Sequence, residues 1–188
     1  MERGRGMDGE RQLVEAARRG DARAYAALVR MHQRSLYCTA YSILGSSWDA
    51  NDAVQDALLQ AWARVDTLRD SARFKPWLVR ILVNTCYDTL STRRRLVPVG
   101  DAPHEDPRRS EAHEFVGTEA QLDLFRVVRE LDDDHRVVVA LRYFNDLKVD
   151  DIATLLDIPA GTVKSRINRA LARLAQQLGR ATRLEVES

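Results

Sequence analysis

Cationic and amide side chains recur between residues 164 and 173 at spacings that place them on one side of a helix. Arginine and lysine can donate hydrogen bonds to guanine, whereas asparagine and serine can read other base edges. The stretch 158–184 holds six basic residues and no acid, although exposed helices usually mix the two signs. This pattern favours a DNA-reading surface over an ordinary solvated helix face. Its side chains are Lys164, Ser165, Arg166, Asn168, Arg169 and Arg173.

The elements that would position this surface form a helix-turn-helix. Apolar residues at helical spacing predict a first helix from Val149 and a second one that continues to Leu178, with a break at 157–159. In this motif the second helix places its N-terminal part in the major groove. We expect the two helices to bury Ile152, Ala153, Leu155 and Leu156, and Val163, Ile167, Ala170, Leu171, Leu174 and Leu178.

A second basic stretch, 73–95, has one acid, Asp88, among six basic residues. Phe74 and Trp77 lie within it, and basic groups interleaved with aromatic rings suit melted DNA, whose bases stack or enter pockets. Both rings also fall on the apolar stripe, which favours a place in the core. The basic groups and Asn84 then remain for DNA.

An acidic face marks the helix predicted over 49–62. Asp52, Gln55, Asp56 and Gln60 lie opposite its apolar stripe, in an N-terminal half (1–96) that carries a balance of +5. Carboxylates in so basic a half are poorly suited to face DNA. A docking face for a basic protein and a merely solvated helix face both fit this composition.

Catalysis finds little support in the sequence. The four histidines are scattered, and there is no HExxH, no GxSxG and no phosphate-binding glycine loop. The run 132–134 (Asp-Asp-Asp) suits the N-terminus of a helix better than a cation site. Cys38 and Cys86 form no CxxC pair, which favours two buried thiols over zinc or a disulfide. We therefore expect no enzyme, no cofactor and no metal.

The chain has 188 residues, of which 45% are hydrophobic and 30% charged, and this length allows one ordinary domain or two small ones. Its periodicity predicts an all-α fold of two helical domains joined by a flexible linker, even at the β-prone run 137–139. No apolar run approaches the ~20 residues of a membrane span. The expected divisions are a disordered N-terminus 1–10, a helical domain 11–96, an acidic proline-containing linker 97–118, a helix-turn-helix domain 119–180 and a tail 181–188.

Three segments, in this order, resemble bacterial sigma factors of the extracytoplasmic-function class. The family's polymerase-binding helix is similar to DANDAVQDALLQAW (49–62), and its reader of melted promoter DNA is similar to FKPWLVRILVNTCYDTLSTRRR (74–95). Its DNA-binding C-terminal domain is similar to DDDHRVVVALRYFNDLKVDDIATLLDIPAGTVKSRINRALARL (132–174). The similarity covers about residues 11–96 and 119–178, and departs at the bend, where Asp157 replaces the usual glycine.

The resemblance implies a role for each group of residues. Docking on core RNA polymerase would use Asp49, Asp52, Gln55 and Asp56. The melted −10 element would be held by Thr67, Arg69, Ser71, Arg73, Arg80, Asn84, Arg93, Arg94 and Arg95. The −35 duplex would be read by the six side chains from Lys164 to Arg173 named above.

The resemblance also implies the partners. They are core RNA polymerase, promoter DNA and an anti-sigma factor that can hold this otherwise cytoplasmic protein at the membrane, with no small-molecule substrate. A linker of this length extends to roughly 75 Å at ~3.3–3.6 Å per residue. That span matches the ~70 Å between two promoter elements two helical turns apart.

Two other functions fit part of the sequence. A sigma-like mimic that sequesters a regulatory protein would not need the basic residues after 158, which this chain has. A conventional dimeric helix-turn-helix regulator would need a dimerisation or ligand-sensing domain, whereas residues 11–96 carry the acidic helix and the arginine run instead.

Overall fold

A computed structural model describes residues 2–96, 128 and 130–186, and the side chains of 8–93, 128 and 130–176. Regular structure within these residues is helical throughout. We call the part built from α1 to α4 the front lobe and the part built from α5 to α7 the rear lobe. The helices are α1 (Glu2–Arg18), α2 (Ala22–Leu44), α3 (Ser47–Trp62), α4 (Phe74–Leu96), α5 (Asp133–Tyr143), α6 (Val149–Leu156) and α7 (Ala160–Val186), with 3₁₀ turns at Val65–Thr67 and Ser71–Arg73 between α3 and α4.

Local signals mark the start and the end of α2 at the residues that the sequence predicts. The Asp21 carboxylate caps α2 by accepting hydrogen bonds from the backbone N–H groups of Arg23 and Ala24. Gly45 ends α2 in a left-handed conformation with φ 72°, which glycine adopts without steric cost. Helices α2, α3 and α4 pack against one another.

The front-lobe core is apolar and closely filled. Phe74, Leu78 and Leu82 of α4 are buried in the same apolar cluster as Leu28 of α2. The thiol of Cys86 is buried too, and desolvation raises its pKa to about 12, so it stays protonated at neutral pH. The prediction of buried, free thiols is confirmed for both cysteines.

The rear lobe contains the predicted helix-turn-helix. The β-prone run 137–139 is helical, as part of α5, and its three side chains are buried. Between α6 and α7, Asp157 takes the left-handed conformation with φ 54° and its N–H donates to the carbonyl of Ala153. An aspartate thus makes the bend that the family usually builds with glycine.

The helices extend into both terminal segments. Helix α1 begins at Glu2, within the segment 1–10. Oε1 of Glu10 lies 2.9 Å from Nε2 of His32, which joins α1 to α2. Helix α7 continues over 181–186, the first part of the tail. The predicted linker 97–118 lies outside the described residues.

Burial within the helix-turn-helix follows the prediction with exceptions. Ile152, Val163 and Ile167 are buried, whereas Leu171 is 40% exposed. At 100° per residue Leu171 lies about 80° from Val163, on the edge of the apolar sector, so the bundle covers it incompletely. The other exceptions are Ala153, Leu155 and Leu156, which are half-buried, and Leu178, whose side chain lies outside the described set.

The two lobes pack directly on each other. Helix α5 lies against α2, and α6 touches α4. The main apolar cluster runs from front-lobe residues such as Leu36 into Val137, Leu141 and Ile152 of the rear lobe. The two-domain helical architecture is confirmed, and this contact between the domains is an addition that the sequence did not indicate.

Candidate nucleic-acid interface

The first turns of α7 present a cationic surface to solvent. Lys164, Asn168 and Arg169 are exposed, and neither Lys164 nor Arg169 forms an ion pair within the described part of the chain. Ser165 is half-buried and its hydroxyl donates to the carbonyl of Thr162 at 2.9 Å. That hydroxyl oxygen can still accept one hydrogen bond. The surface therefore offers two cations, one amide and one acceptor.

Two of the six predicted side chains on α7 are not free on this surface. Nη2 of Arg166 lies 2.5 Å from Oδ2 of Asp134, and Nη1 of Arg173 lies 2.5 Å from Oδ2 of Asp132. Asp132 precedes α5 at the cap position, but its side chain makes no capping hydrogen bond. The acidic run therefore stands at the N-terminus of α5, as expected, but Asp132 makes no capping hydrogen bond. The carboxylates of Asp132 and Asp134 pair with arginines of α7 instead.

The predicted −10 loop is exposed between α3 and α4. Thr67, Arg69 and Arg73 are exposed, and Ser71 is half-buried. The hydroxyl of Thr67 donates to the carbonyl of Arg64 at 2.6 Å. Arg73 reaches across to the rear lobe, where its guanidinium pairs with the carboxylate of Asp151. This contact occupies one of the loop's cations.

Helix α4 carries the other −10 residues on its outer side. Arg80 and Asn84 are exposed, whereas Phe74 is buried and Trp77 is half-buried against it, with ring centroids 5.9 Å apart. The interpretation of both rings as core is confirmed. The side chains of Arg94 and Arg95 lie outside the described residues.

A cleft of about 420 Å³ separates α4 from the rear lobe. Asn84 and Tyr87 line it from the front lobe, and Asp134 and Arg166 line it from the rear lobe. Asn84, which is predicted to bind the −10 element, thus lines the same cleft as Arg166, which is predicted to bind the −35 element. These two residues are 82 positions apart in the sequence, which gives no sign that they lie close together.

Helix α3 shows the predicted acidic face. Asp52, Gln55 and Asp56 are all exposed. Asp49 differs from them because its carboxylate is mostly covered and lies 2.5 Å from Nη2 of Arg93, a residue predicted to bind DNA. That ion pair joins α3 to α4 and leaves Asp49 little surface for docking.

Sequence reasoning missed an apolar residue on this face. Leu59 is 67% exposed, and it follows Asp52 by seven positions and Asp56 by three. Residues at those spacings share a helix face. The helical spacing from Asp52 was the signal that could have placed Leu59 beside the carboxylates. We call the set Asp52, Gln55, Asp56 and Leu59 the docking face.

Two findings bear on other site types. Within the described residues, histidine, cysteine and carboxylate side chains form no group of three that could hold a metal ion. The described helices also include none with the length and apolar character to cross a membrane.

Both lobes match known protein families. The family model for Sigma-70 region 2 matches residues 28–96. The family model for Sigma-70, region 4 matches residues 121–174. The first range spans α3, the −10 loop and α4, and the second contains the helix-turn-helix.

Curated relatives are similar over most of their length. The chain is 31% identical to the RNA polymerase sigma-H factor of Pseudomonas aeruginosa, over 86% of this chain and 89% of that one. It is 31% identical to the ECF RNA polymerase sigma-E factor of Escherichia coli, over 84% and 88%. It is 26% identical to the ECF RNA polymerase sigma factor SigW of Bacillus subtilis, over 89% and 96%.

Solved structures show the same fold. CnrH in complex with the cytosolic domain of CnrY matches with a TM-score of 0.67 and 27% identity, over 91% of this chain and 97% of that one. The sigma factor RpoE in complex with the anti-sigma factor NepR, from Bartonella quintana, matches with a TM-score of 0.65 and 25% identity, over 82% and 96%.

Proposed function

The chain belongs to the extracytoplasmic-function class of RNA polymerase sigma factors, and on that premise we propose how its two lobes divide promoter recognition. The front lobe docks on core polymerase and holds melted −10 DNA, and the rear lobe reads the −35 duplex. The observation that carries this division is the separation of two exposed surfaces. An acidic docking face lies on α3, and a cationic reading surface lies on α7.

The docking face binds a basic surface of the core enzyme. Its exposed carboxylates, Asp52 and Asp56, supply charge complementarity, which steers association and suppresses wrong partners. Leu59 supplies the apolar centre that protein interfaces concentrate in their buried core. Asp49 acts differently: by pairing with Arg93 it positions α3 against α4.

The −10 element binds between the 3₁₀ turns and α4. Arg69 and Arg80 are exposed cations for backbone phosphates, and Asn84 offers an amide to a base edge. Thr67 and Ser71 border the loop, where an unstacked base could be received. The polymerase supplies the chemistry of RNA synthesis, so this site needs to bind and orient DNA only.

The −35 element binds the first turns of α7. Lys164, Asn168 and Arg169 point to solvent and suit base edges in the major groove. The left-handed turn at Asp157 sets the angle at which α7 leaves α6. Arg166 and Arg173 bind the backbone phosphates that flank the groove. They become available for this contact when their ion pairs with Asp134 and Asp132 break.

Promoter binding requires the lobes to move apart. Asn84 and Arg166 line one cleft, whereas the two promoter elements are separated by ~70 Å for two turns of duplex. The packed arrangement therefore represents the chain off the promoter. A related sigma factor, RpoE, forms a complex with an anti-sigma factor, and we propose a partner of this kind for this chain.

Transcription from core polymerase tests the proposed function. Purified core enzyme, with and without the full chain, is given a library of genomic fragments from the source organism, and RNA 5′ ends are mapped. Start sites that appear only with the chain support the sigma function. Their absence, with sequestration of a regulator instead, would support the mimic, and a defined duplex site bound without core enzyme would support a conventional regulator.

A further inference from the structure

The acidic run 132–134 at the start of α5 contacts α7, and neither core-enzyme docking nor promoter reading requires this contact. Asp132 pairs with Arg173, and Asp134 pairs with Arg166, each with a separation of 2.5 Å. Arg166 and Arg173 are seven residues apart, so they share one face of α7. Two carboxylates from one helix start are thus matched to two guanidinium groups along one side of the reading helix.

These ion pairs contribute little to folding. Asp132 and Asp134 are exposed, Arg173 is half exposed, and the Arg166 side chain is 25% exposed. Solvent-exposed pairs are weak because water screens them and because two long side chains must be ordered. The nearby guanidinium of Arg173 also lowers the pKa of Asp132, which keeps that carboxylate ionised at neutral pH. A weak, permanently charged contact is one that a stronger anion can displace.

We propose that Asp132 and Asp134 compete with backbone phosphates for Arg173 and Arg166, and so lower the affinity of the chain for DNA of arbitrary sequence. The inference rests on the proposed role of α7 in binding duplex DNA. A carboxylate and a phosphate oxygen accept the same hydrogen bonds from a guanidinium group. DNA must therefore displace the carboxylate before it gains the phosphate contact.

The competition spares the base-reading side chains. Lys164 and Arg169 form no ion pair in the described residues, and Asn168 is exposed. The two arginines held in ion pairs are those that the proposed function assigns to backbone phosphates. The acidic run therefore weakens non-specific attraction and leaves the sequence-dependent contacts available.

Asp133 provides a matched control between the two competing residues. Its carboxylate pairs with Arg136 of its own helix, three residues on, and with none of the described side chains of α7. Asp132→Asn, Asp133→Asn and Asp134→Asn each remove one negative charge from the same helix start. A general change of net charge would affect the three variants alike, whereas competition for α7 affects only the outer two.

The test measures binding of the full chain to a fluorescent duplex of random sequence as a function of salt. Each phosphate neutralised by a released cation steepens the slope of log K against log salt by about 0.9. We expect D132N and D134N to steepen the slope by up to that amount each and to bind more tightly at low salt. We expect D133N to match the wild type.

A double-mutant cycle separates competition from simple repulsion. In an Arg173→Gln background, D132N should no longer steepen the slope, because no guanidinium remains to be released. An equal effect of D132N in both backgrounds, or equal slopes for all three aspartate variants, would overturn the proposal. If Arg166→Gln and Arg173→Gln leave binding to the random duplex unchanged, or if no variant binds, the proposed role of α7 in binding duplex DNA fails as well.

Discussion

Asn145 of the rear lobe donates a hydrogen bond from Nδ2 to Oγ1 of Thr39 in the front lobe, with a separation of 2.6 Å. Both side chains are fully buried. The Thr39 hydroxyl donates in turn to the carbonyl of Ser35, so it accepts and donates at once. A buried polar group that loses its partner costs more than an exposed one. This bond therefore fixes how α5 sits on α2 in the packed form.

Removing the bond between Thr39 and Asn145 should loosen the lobes. Thr39→Val leaves the buried Nδ2 of Asn145 without its partner, at a cost of about 1–3 kcal/mol. Asn145→Ala removes the same bond, although the Thr39 hydroxyl still donates to Ser35. We expect a larger radius of gyration in small-angle X-ray scattering for both variants. Asp151→Asn, which removes only an exposed contact to Arg73, should change it little. Unchanged scattering from T39V and N145A would show that apolar packing alone holds the lobes.

Truncating Arg169 should weaken recognition of the −35 element. Arg169→Ala removes an exposed guanidinium from α7, and a bidentate contact to guanine is worth about 1–3 kcal/mol. Anisotropy with the duplex upstream of a mapped start site gives the affinity, and base substitutions in that duplex give the preference, which should relax. Arg30→Ala, at an exposed position on α2, serves as the control. Full retention of affinity and preference would remove Arg169 from the reading surface.

Reversing charge on the docking face should weaken assembly with core polymerase. Asp52→Lys and Asp56→Lys place cations opposite a basic partner, and we expect at least a tenfold loss of affinity each, about 1.4 kcal/mol. Leu59→Ala should act in the same direction through lost apolar burial. Asp66→Lys changes an exposed acid of the same lobe outside α3 and should assemble normally. Equal losses in D52K, D56K and D66K would point to net charge alone.

Acid should destabilise the front lobe through Glu10. The hydrogen bond with His32 lowers the pKa of Glu10 below its ordinary value of 4.5. A carboxyl whose folded pKa is depressed stabilises the fold above its unfolded pKa and loses that contribution as pH falls through the folded pKa. Urea unfolding should show this loss below about pH 4.5.

A matched pair of variants isolates the contribution of Glu10. Glu10→Gln should cost about 1 kcal/mol at pH 7 and should flatten the acid-side fall in the free energy of unfolding. Glu15→Gln changes a more exposed carboxylate on the same helix and should keep that fall. If E10Q and wild type lose stability in parallel below pH 4.5, other carboxyls dominate the acid response.

The amino-acid sequence by itself determined the helices, their caps and the types of surface. Helical periodicity, Asp21 and Gly45 fixed α2 because these signals act over a few residues. The acidic face of α3 and the cationic face of α7 followed for the same reason. Local spacing did not reveal that α1 begins at Glu2, or that Glu10 of α1 contacts His32 of α2.

Only the tertiary structure decided which of these side chains are available. Arg166 and Arg173 read as outward-facing cations, yet the approach of α5 gives each a carboxylate partner. Asp49 read as a docking residue, yet Arg93 covers it. The contact of Asn145 with Thr39 joins residues 106 positions apart. Such pairings depend on how the helices pack, and a periodicity of 3.6 residues carries no information about distances between helices.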